Sequence, residues 1–472
     1  MKHVVIIGGG ISGLAAAYRI KELNRTAQNP LQLTLLEARP RFGGVIETEC
    51  RENFLMEGGP DSFISDKPWA YELCKRLGLE SEVIGTQEAF RRSFIYEQGK
   101  LVPVPNGFYL MAPTRLKILL KMPLLSWFGK LRAACDFFIP PRQTEEDESV
   151  ANFVRRRLGR ETLERIAQPM VGGIYTGDVE RLSVQATLPR FFEMERRYGS
   201  IVKGLQAKQA LENSHEGKAS GPRYSLFLTL KGGMARLVDA LTCELSDMNL
   251  QLSSRVLRIQ PGERWKIHLE SGEFLEADAL CLALPAHQAS RLLQPFAQDM
   301  ASDLAAIPYE SAATVNMAFR KQDIPEILNG FGFVVPAREK RKIVGCTFAS
   351  MKFQNRAPAG AVLLRAFIGG ALQREVLEGE DQAIKQMVRE ELREVLGIEK
   401  PPLFISIRHH LQSMPQYYVG HLRLIDAVEN KIKNYPGLFL AGNAYHGIGI
   451  PDCIRSGEEA AEKMIQFLKQ DS

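Results

Sequence analysis

The chain has 472 residues, 45% apolar and 24% charged, with a formal net charge of +5. This length exceeds one compact core and calls for two or three subdomains, and the composition is that of an ordinary soluble protein. The seven cysteines (Cys50, Cys74, Cys135, Cys243, Cys281, Cys346, Cys453) are scattered, odd in number and never in C-x-x-C. They read as reduced thiols, which argues against a disulfide framework, a redox pair or a zinc site. No uninterrupted apolar run reaches membrane-spanning length. The small positive charge suits an anionic substrate or lipid surface, and is equally well explained by a solvated exterior.

The N-terminus opens on an apolar run, residues 4–7, which reads as a buried parallel strand and not as a secretory leader. It runs into Gly8-Gly9-Gly10-Ile11-Ser12-Gly13, where Gly8, Gly10 and Gly13 fit G-x-G-x-x-G, and then into an alanine-rich helical stretch over 14–23. Gly8 permits the tight turn, Gly10 lets the backbone approach a pyrophosphate, and Gly13 lets helix and strand pack closely. The helix N-terminus offers free N–H groups and a partial positive charge to phosphate. A second apolar run, 33–36, ends in Glu37, whose carboxylate can accept both hydroxyls of a ribose.

Arg39, Arg41, Gly43 and Gly44 follow, then Gly58, Gly59, Pro60, Asp61 and Ser62. A glycine pair soon after the ribose acid is what an extended FAD requires, while Arg39 or Arg41 would also suit the 2′-phosphate of NADP. No second G-x-G-x-x-G follows a strand. The chain therefore holds one dinucleotide. If that is FAD, electrons enter from an organic substrate and leave to oxygen or a separate acceptor.

The middle changes character several times. Residues 93–104 read as strand. Residues 114–139 are rich in Leu, Phe and Trp, studded with Arg115, Lys117, Lys121, Lys130 and Arg132, and broken by Pro123. Such a basic amphipathic stretch either lies on an anionic bilayer or packs on the protein's own core. Residues 205–222 read as an exposed polar loop. Strands are expected within 253–259, 277–284, 314–319, 332–335 and 362–368, with an amphipathic helix over 381–396. His409 and His410 are adjacent and cannot share one helix face as metal ligands. Near the C-terminus, residues 438–441 form another apolar strand running into Gly442, with Ile448, Gly449, Ile450 and Pro451 beyond it. Strand-into-glycine at both ends points to one dinucleotide gripped by a discontinuous domain.

With these motifs assembled, the chain resembles the protoporphyrinogen oxidase family, including the bacterial coproporphyrinogen III oxidases. The likeness covers nearly the whole chain. It rests on residues 58–63, on 172–178 with Leu182-Ser183, on 195–200, on 414–417 with 419–421, and on 449–454. His409-His410 depart from the family, which commonly carries a tryptophan near the flavin there. The resemblance implies an α/β fold in three parts: a discontinuous Rossmann-like FAD domain (1–80, 225–290 and 425–472), a mixed-sheet substrate domain (81–105, 190–224 and 291–424), and a helical membrane-associating domain (106–189). It implies FAD as cofactor and the six-electron oxidation of a porphyrinogen to a porphyrin in haem biosynthesis, with oxygen becoming hydrogen peroxide.

It also carries site residues onto this chain. Gly8, Gly10, Ile11, Ser12, Gly13 and Leu14 would surround the pyrophosphate, with Glu37 and Ala38 at the ribose, and Arg41, Gly43 and Gly44 next. Gly59, Pro60, Asp61 and Ser62 would approach the flavin, and Val256 the adenine edge. Gly442, Ile448, Gly449 and Ile450 would close over the flavin, and a helix starting near Pro451 would point its positive end at the N1–C2=O region. Arg91 and Arg92 are candidates for the substrate's propionates, and Gly173 and Ile174 for the pocket wall. No general base and no metal are assigned. A cytoplasmic protein on the inner membrane face is expected, with the oligomeric state open, a homodimer included. The competing readings are a flavin amine oxidase, a carotenoid desaturase, and a catalytically silent binding protein on the same fold.

Overall fold

The computed structural model describes residues 1–25, 30–215, 226–325 and 328–470. Its first layer is a parallel sheet. Strand β1 (His3–Ile7) is buried along its whole length and runs into helix α1 (Ile11–Asn24). β2 (Gln32–Leu36), β3 (Asn249–Gln251), β4 (Ala279–Leu282) and β5 (Leu438–Leu440) complete the sheet in the order β3-β2-β1-β4-β5. Val5 lies opposite Thr34 on one side and Leu280 on the other, and Cys281 lies opposite Phe439. The unbroken apolar runs are explained by this placement, because a central parallel strand is covered on both faces. The strand order reverses beside β1, where open α/β sheets form their ligand crevice.

Helix α2 (Ile450–Gln470) returns to lie against α1. The two backbones meet at Gly457, where a Cβ would stand 2.2 Å from the carbonyl oxygen of Ser12. Residues from the two ends of the chain, among them Leu14, Ala17, Ala461 and Met464, share one core.

A second layer is a seven-stranded mixed sheet. Its order is Phe404–Pro415, Tyr309–Arg320, Ala361–Gly369, Gly345–Thr347, Gly332–Val334, Ser93–Glu97 and Lys100–Pro103. Gly332–Val334 pairs parallel with Ser93–Glu97, and the other neighbours pair antiparallel. Helix Asp381–Leu396 covers one face, burying Ile384, Val388 and Leu392 against Val315, Met317, Leu364 and Ala366. The period-2 alternation of strands then puts Thr314, Asn316, Arg365, Phe367, Arg408 and His410 on the opposite face.

A helical cluster stands beside both sheets. Val150–Arg157, Gln168–Tyr175, Pro189–Tyr198 and Ile201–His215 share a core of Phe153, Val154, Val171, Phe191 and Ile201. That cluster runs past residue 189. Arg157 is wholly buried in it and donates from Nε to Asp136 (2.6 Å) and from Nη2 to the Gly199 carbonyl (2.8 Å). The loop expected over 205–222 is corrected here: helix Ile201–His215 spans its first half, and 216–222 lie outside the described residues. Ile201, Val202 and Leu205 are buried on one side, and Asp136 accepts the Val202 N–H (3.1 Å). Helical spacing of apolar residues outweighs the polar composition that suggested a loop.

The basic stretch forms two short helices, Leu116–Leu120 and Trp127–Ala134, the second capped by Ser126 Oγ accepting from Gly129 N (3.1 Å). Among the described residues, no helix is long and apolar enough to cross a membrane.

Gly457→Ala should lower stability by about 1–3 kcal/mol, because the added methyl forces α2 away from backbone atoms of α1. Thermal denaturation of the two proteins measures this, and equal midpoints would show that the helix contact is not needed.

Candidate active site

The crevice opens at the carboxyl ends of β1, β2, β4 and β5. Gly8 has φ +112°, and a Cβ there would lie 2.3 Å from the Ala283 carbonyl oxygen. A Cβ on Gly13 would lie 1.9 Å from the Gly8 carbonyl oxygen. Both positions therefore require glycine. Gly10 differs: nothing stands within 4 Å of where its Cβ would be, so its backbone faces open space. No side chain caps the α1 N-terminus at Gly10. An uncapped helix start beside an open glycine is the arrangement that accepts a pyrophosphate.

Glu37 ends β2 and is buried. Its Oε2 accepts the Gly9 N–H (2.7 Å) and its Oε1 accepts the Arg39 N–H (2.8 Å). The carboxylate thus ties β2 to the glycine turn while ending at the crevice. Ser254 N donates to the Glu37 carbonyl (2.8 Å), which brings the segment leading to Val256 alongside. Gly43 N donates to Gly9 O (2.8 Å), and Gly44 comes within 3.2 Å of Gly10 Cα at its Cβ position. Arg41 is folded back, donating to the carbonyls of Gly44 (2.8 Å) and Ile46 (3.0 Å) and to Glu47. It stiffens the second glycine turn.

The C-terminal loop approaches from β5. Gly442 has φ +137° and donates its N–H to Ser456 Oγ (3.0 Å). Tyr417 pins the loop, since its hydroxyl donates to Asn443 O (2.6 Å) and accepts from Gly447 N (2.8 Å). Its ring stacks on His421 at 3.9 Å, and burial pushes the His421 imidazole down to about 4. That ring is neutral and hydrogen-bonded to Tyr445 O (3.1 Å). Asp452, in the first turn of α2, is paired with Lys67 at 2.6 Å.

The opposite wall is the uncovered face of the mixed sheet. It grips three consecutive carbonyls of the 57–62 loop. Asn316 Nδ2 donates to Glu57 O (3.1 Å), and Thr314 Oγ1 (2.7 Å) and His410 Nε2 (2.8 Å) donate to Gly58 O. Arg365 Nη2 donates to Gly59 O. Burial lowers the His410 pKa, so this ring donates as the neutral imidazole. His409 turns away to Asp381 at 2.7 Å. His409 thus lies against the covering helix, and His410 is bonded behind Gly58.

Asp61 sits over this wall, 3.0 Å from Lys352 and 3.9 Å from Arg365, and accepts from Ser62 Oγ (2.7 Å). Burial alone would raise its pKa. The charges of Lys352 and Arg365 outweigh that and hold the carboxyl well below the usual range.

The structure brings Gly8, Gly10, Glu37, Gly43, Gly44 and Gly442 to one crevice, while Leu14 and Ile450 pack into the core; the open Gly10 face, uncapped helix start and Glu37 carboxylate fit FAD. The substrate candidates are more dispersed. Arg91 is half-exposed, with Glu88 3.9 Å away, and Arg92 is exposed while its carbonyl accepts from Phe331 N (2.7 Å). Gly173 packs near Val334, and Ile174 is exposed on the same helix. The sequence reading missed Thr314, Asn316, Lys352 and Arg365. One signal was available: Arg365 is the single charge in the apolar strand Ala361–Gly369.

A parallel sheet with a dinucleotide cradle, joined to a mixed sheet that walls the crevice, defines an FAD-dependent oxidoreductase. The chain belongs to the flavin containing amine oxidoreductase family, whose description it matches over residues 11–465. Within that family it is 34% identical to coproporphyrinogen III oxidase of Bacillus subtilis, over 99% of this chain and 98% of the relative. It is 33% identical to coproporphyrinogen III oxidase of Staphylococcus aureus, over 99% of this chain and all of the relative. A crystal structure from Exiguobacterium sp. 255-15, of a candidate protoporphyrinogen oxidase, superposes with a TM-score of 0.85 at 31% identity, covering 99% of each chain.

Proposed function

We propose that the protein oxidises a porphyrinogen to the porphyrin, with coproporphyrinogen III as the leading substrate and protoporphyrinogen IX as the alternative. The observation that carries this is full-length likeness, at 33–34% identity, to two coproporphyrinogen III oxidases. Six electrons and six protons leave the macrocycle, and three oxygen molecules take them up as three molecules of hydrogen peroxide. FAD, when bound, supplies the hydride acceptor and passes electrons to oxygen.

The chain's residues have correspondingly modest tasks. The turns at Gly8–Gly13 and Gly43-Gly44 hold the dinucleotide, and Glu37 takes the ribose. The 58–62 loop and the Gly442 loop would both approach the flavin. Phe367 and Val334, on the same sheet face, offer apolar contact to the macrocycle. Arginines near the mouth, Arg91 and Arg92 among them, pair with propionates. None of these tasks demands a nucleophile. The three-part domain division read from sequence is part of this proposal, with helices Pro189–Tyr198 and Ile201–His215 joined to the helical part whose core they share.

The helices Leu116–Leu120 and Trp127–Ala134 supply a contact with the membrane surface, on its cytoplasmic side. Phe128 is 85% exposed and Trp127 68%, with Leu120 and Leu131 beside them. Lys117 and Lys130 line a shallow groove with Leu116, Leu120, Trp127 and Leu131. Apolar rings ringed by lysines match the boundary of an anionic bilayer.

Anaerobic mixing with each porphyrinogen should bleach the flavin's visible absorbance, and admission of air should restore it with porphyrin fluorescence. Flavin that stays oxidised with both substrates contradicts the assignment. Vesicles containing phosphatidylglycerol should bind the protein, and the double variant Trp127→Ser with Phe128→Ser should weaken binding about a hundredfold or more, from the loss of roughly 1.5–3 kcal/mol per buried ring. Equal binding of this double variant would place the membrane contact elsewhere.

A further inference from the structure

Arg365 is an unusual residue for its position. Its side chain is 5% exposed in a strand whose other residues are apolar or glycine. Nη2 donates to Gly59 O, and the guanidinium carbon lies 4.9 Å from the Phe367 ring centroid. Among the described residues its Nε has no partner, and neither does Oδ1 of Asn316 on the neighbouring strand. Burial lowers its pKa, while Asp61 and Glu57 oppose that.

The charges around it do not balance. Asp61 is shared with Lys352, the nearer cation at 3.0 Å. Glu57 is buried, accepts from Thr48 Oγ1 (2.7 Å) and Met234 N (2.9 Å), and has Arg356 at 4.0 Å. Among the more deeply buried groups, three cations (Lys352, Arg356, Arg365) therefore face two carboxylates (Asp61, Glu57), while the more exposed Arg408 and Arg41 are matched by Glu47 and Glu49. One positive charge is left over, in a site where burying an unpaired charge is costly. Such a surplus persists where an anion arrives during function. Reduction of a bound flavin adds negative charge beside this wall, in a medium of lower dielectric than water.

We propose that Arg365 is a positioning residue that fixes the 58–62 loop to the sheet, and that its surplus charge raises the reduction potential of FAD held against that loop. The proposal rests on that loop facing the flavin, as stated under the proposed function.

The test uses holoenzyme and two readouts other than turnover: the FAD midpoint potential, and the dissociation constant of the flavin–sulfite adduct. Arg365→Met and Lys352→Met should each weaken the sulfite adduct about tenfold, equivalent to about 30 mV of lower potential for a two-electron couple. Asp61→Asn removes a negative charge and should shift both readouts in the opposite direction. Arg365→Lys should restore most of the wild-type potential. A purely structural clamp predicts no such reversal of sign, so shifts in one direction for all variants, or none, overturn the proposal. If Arg365→Met does not fold, the opposed pair Lys352→Met and Asp61→Asn carries the test. Failure of the underlying reading is seen separately, as wild-type holoenzyme that porphyrinogen does not bleach.

Discussion

The contact of α2 with α1, at Gly457 against the Ser12 carbonyl, is the constraint on which the site depends. It places the C-terminal glycine loop over the crevice that the N-terminal glycine turn begins. Without a side chain at residue 457 the helices come close enough for their small residues to interleave, and Cys453 and Ile454 then share a core with Leu14 and Ala15. Close packing of this kind tolerates little added volume. The crevice is thereby assembled from segments more than four hundred residues apart, and neither segment encloses a ligand alone.

A second junction sets the depth of the crevice. The mixed sheet has one apolar face, satisfied by helix Asp381–Leu396, and one polar face that would be poorly solvated. Its donors Thr314, Asn316, His410 and Arg365 are directed to the carbonyls of residues 57–59, which leave the loop's other side toward the crevice. Hydrogen bonds from buried, neutral donors are specific in direction, so the loop is held at a fixed height above the sheet. Asp61, flanked by Lys352 and Arg365, stays ionised there despite its burial.

The parallel sheet was legible in the sequence because its signals are local. Apolar runs, glycines at fixed offsets and the terminal acid Glu37 each occupy a few consecutive residues. The cofactor candidates from both ends follow from the same logic, strengthened by the family likeness. What escaped is non-local. Thr314, Asn316, His410 and Arg365 become a single donor row only after strands from distant parts of the chain pair side by side. The bond from the Gly9 N–H to the Glu37 carboxylate likewise needs the fold. Helix Ile201–His215 was hidden because polar residues dominate its composition, although Ile201, Val202 and Leu205 already carried the helical spacing.

The most direct measurement is titration of the apoprotein with FAD, comparing the wild type with one variant at each end of the chain. Glu37→Ala removes the proposed ribose acceptor, and Gly442→Val forces a β-branched side chain onto backbone at φ +137°. The account predicts saturation at a single FAD per chain, with each variant weakening affinity about tenfold or more, as loss of a charged hydrogen bond or comparable backbone strain would produce. Wild-type affinity in either variant would contradict one cofactor being gripped by both termini.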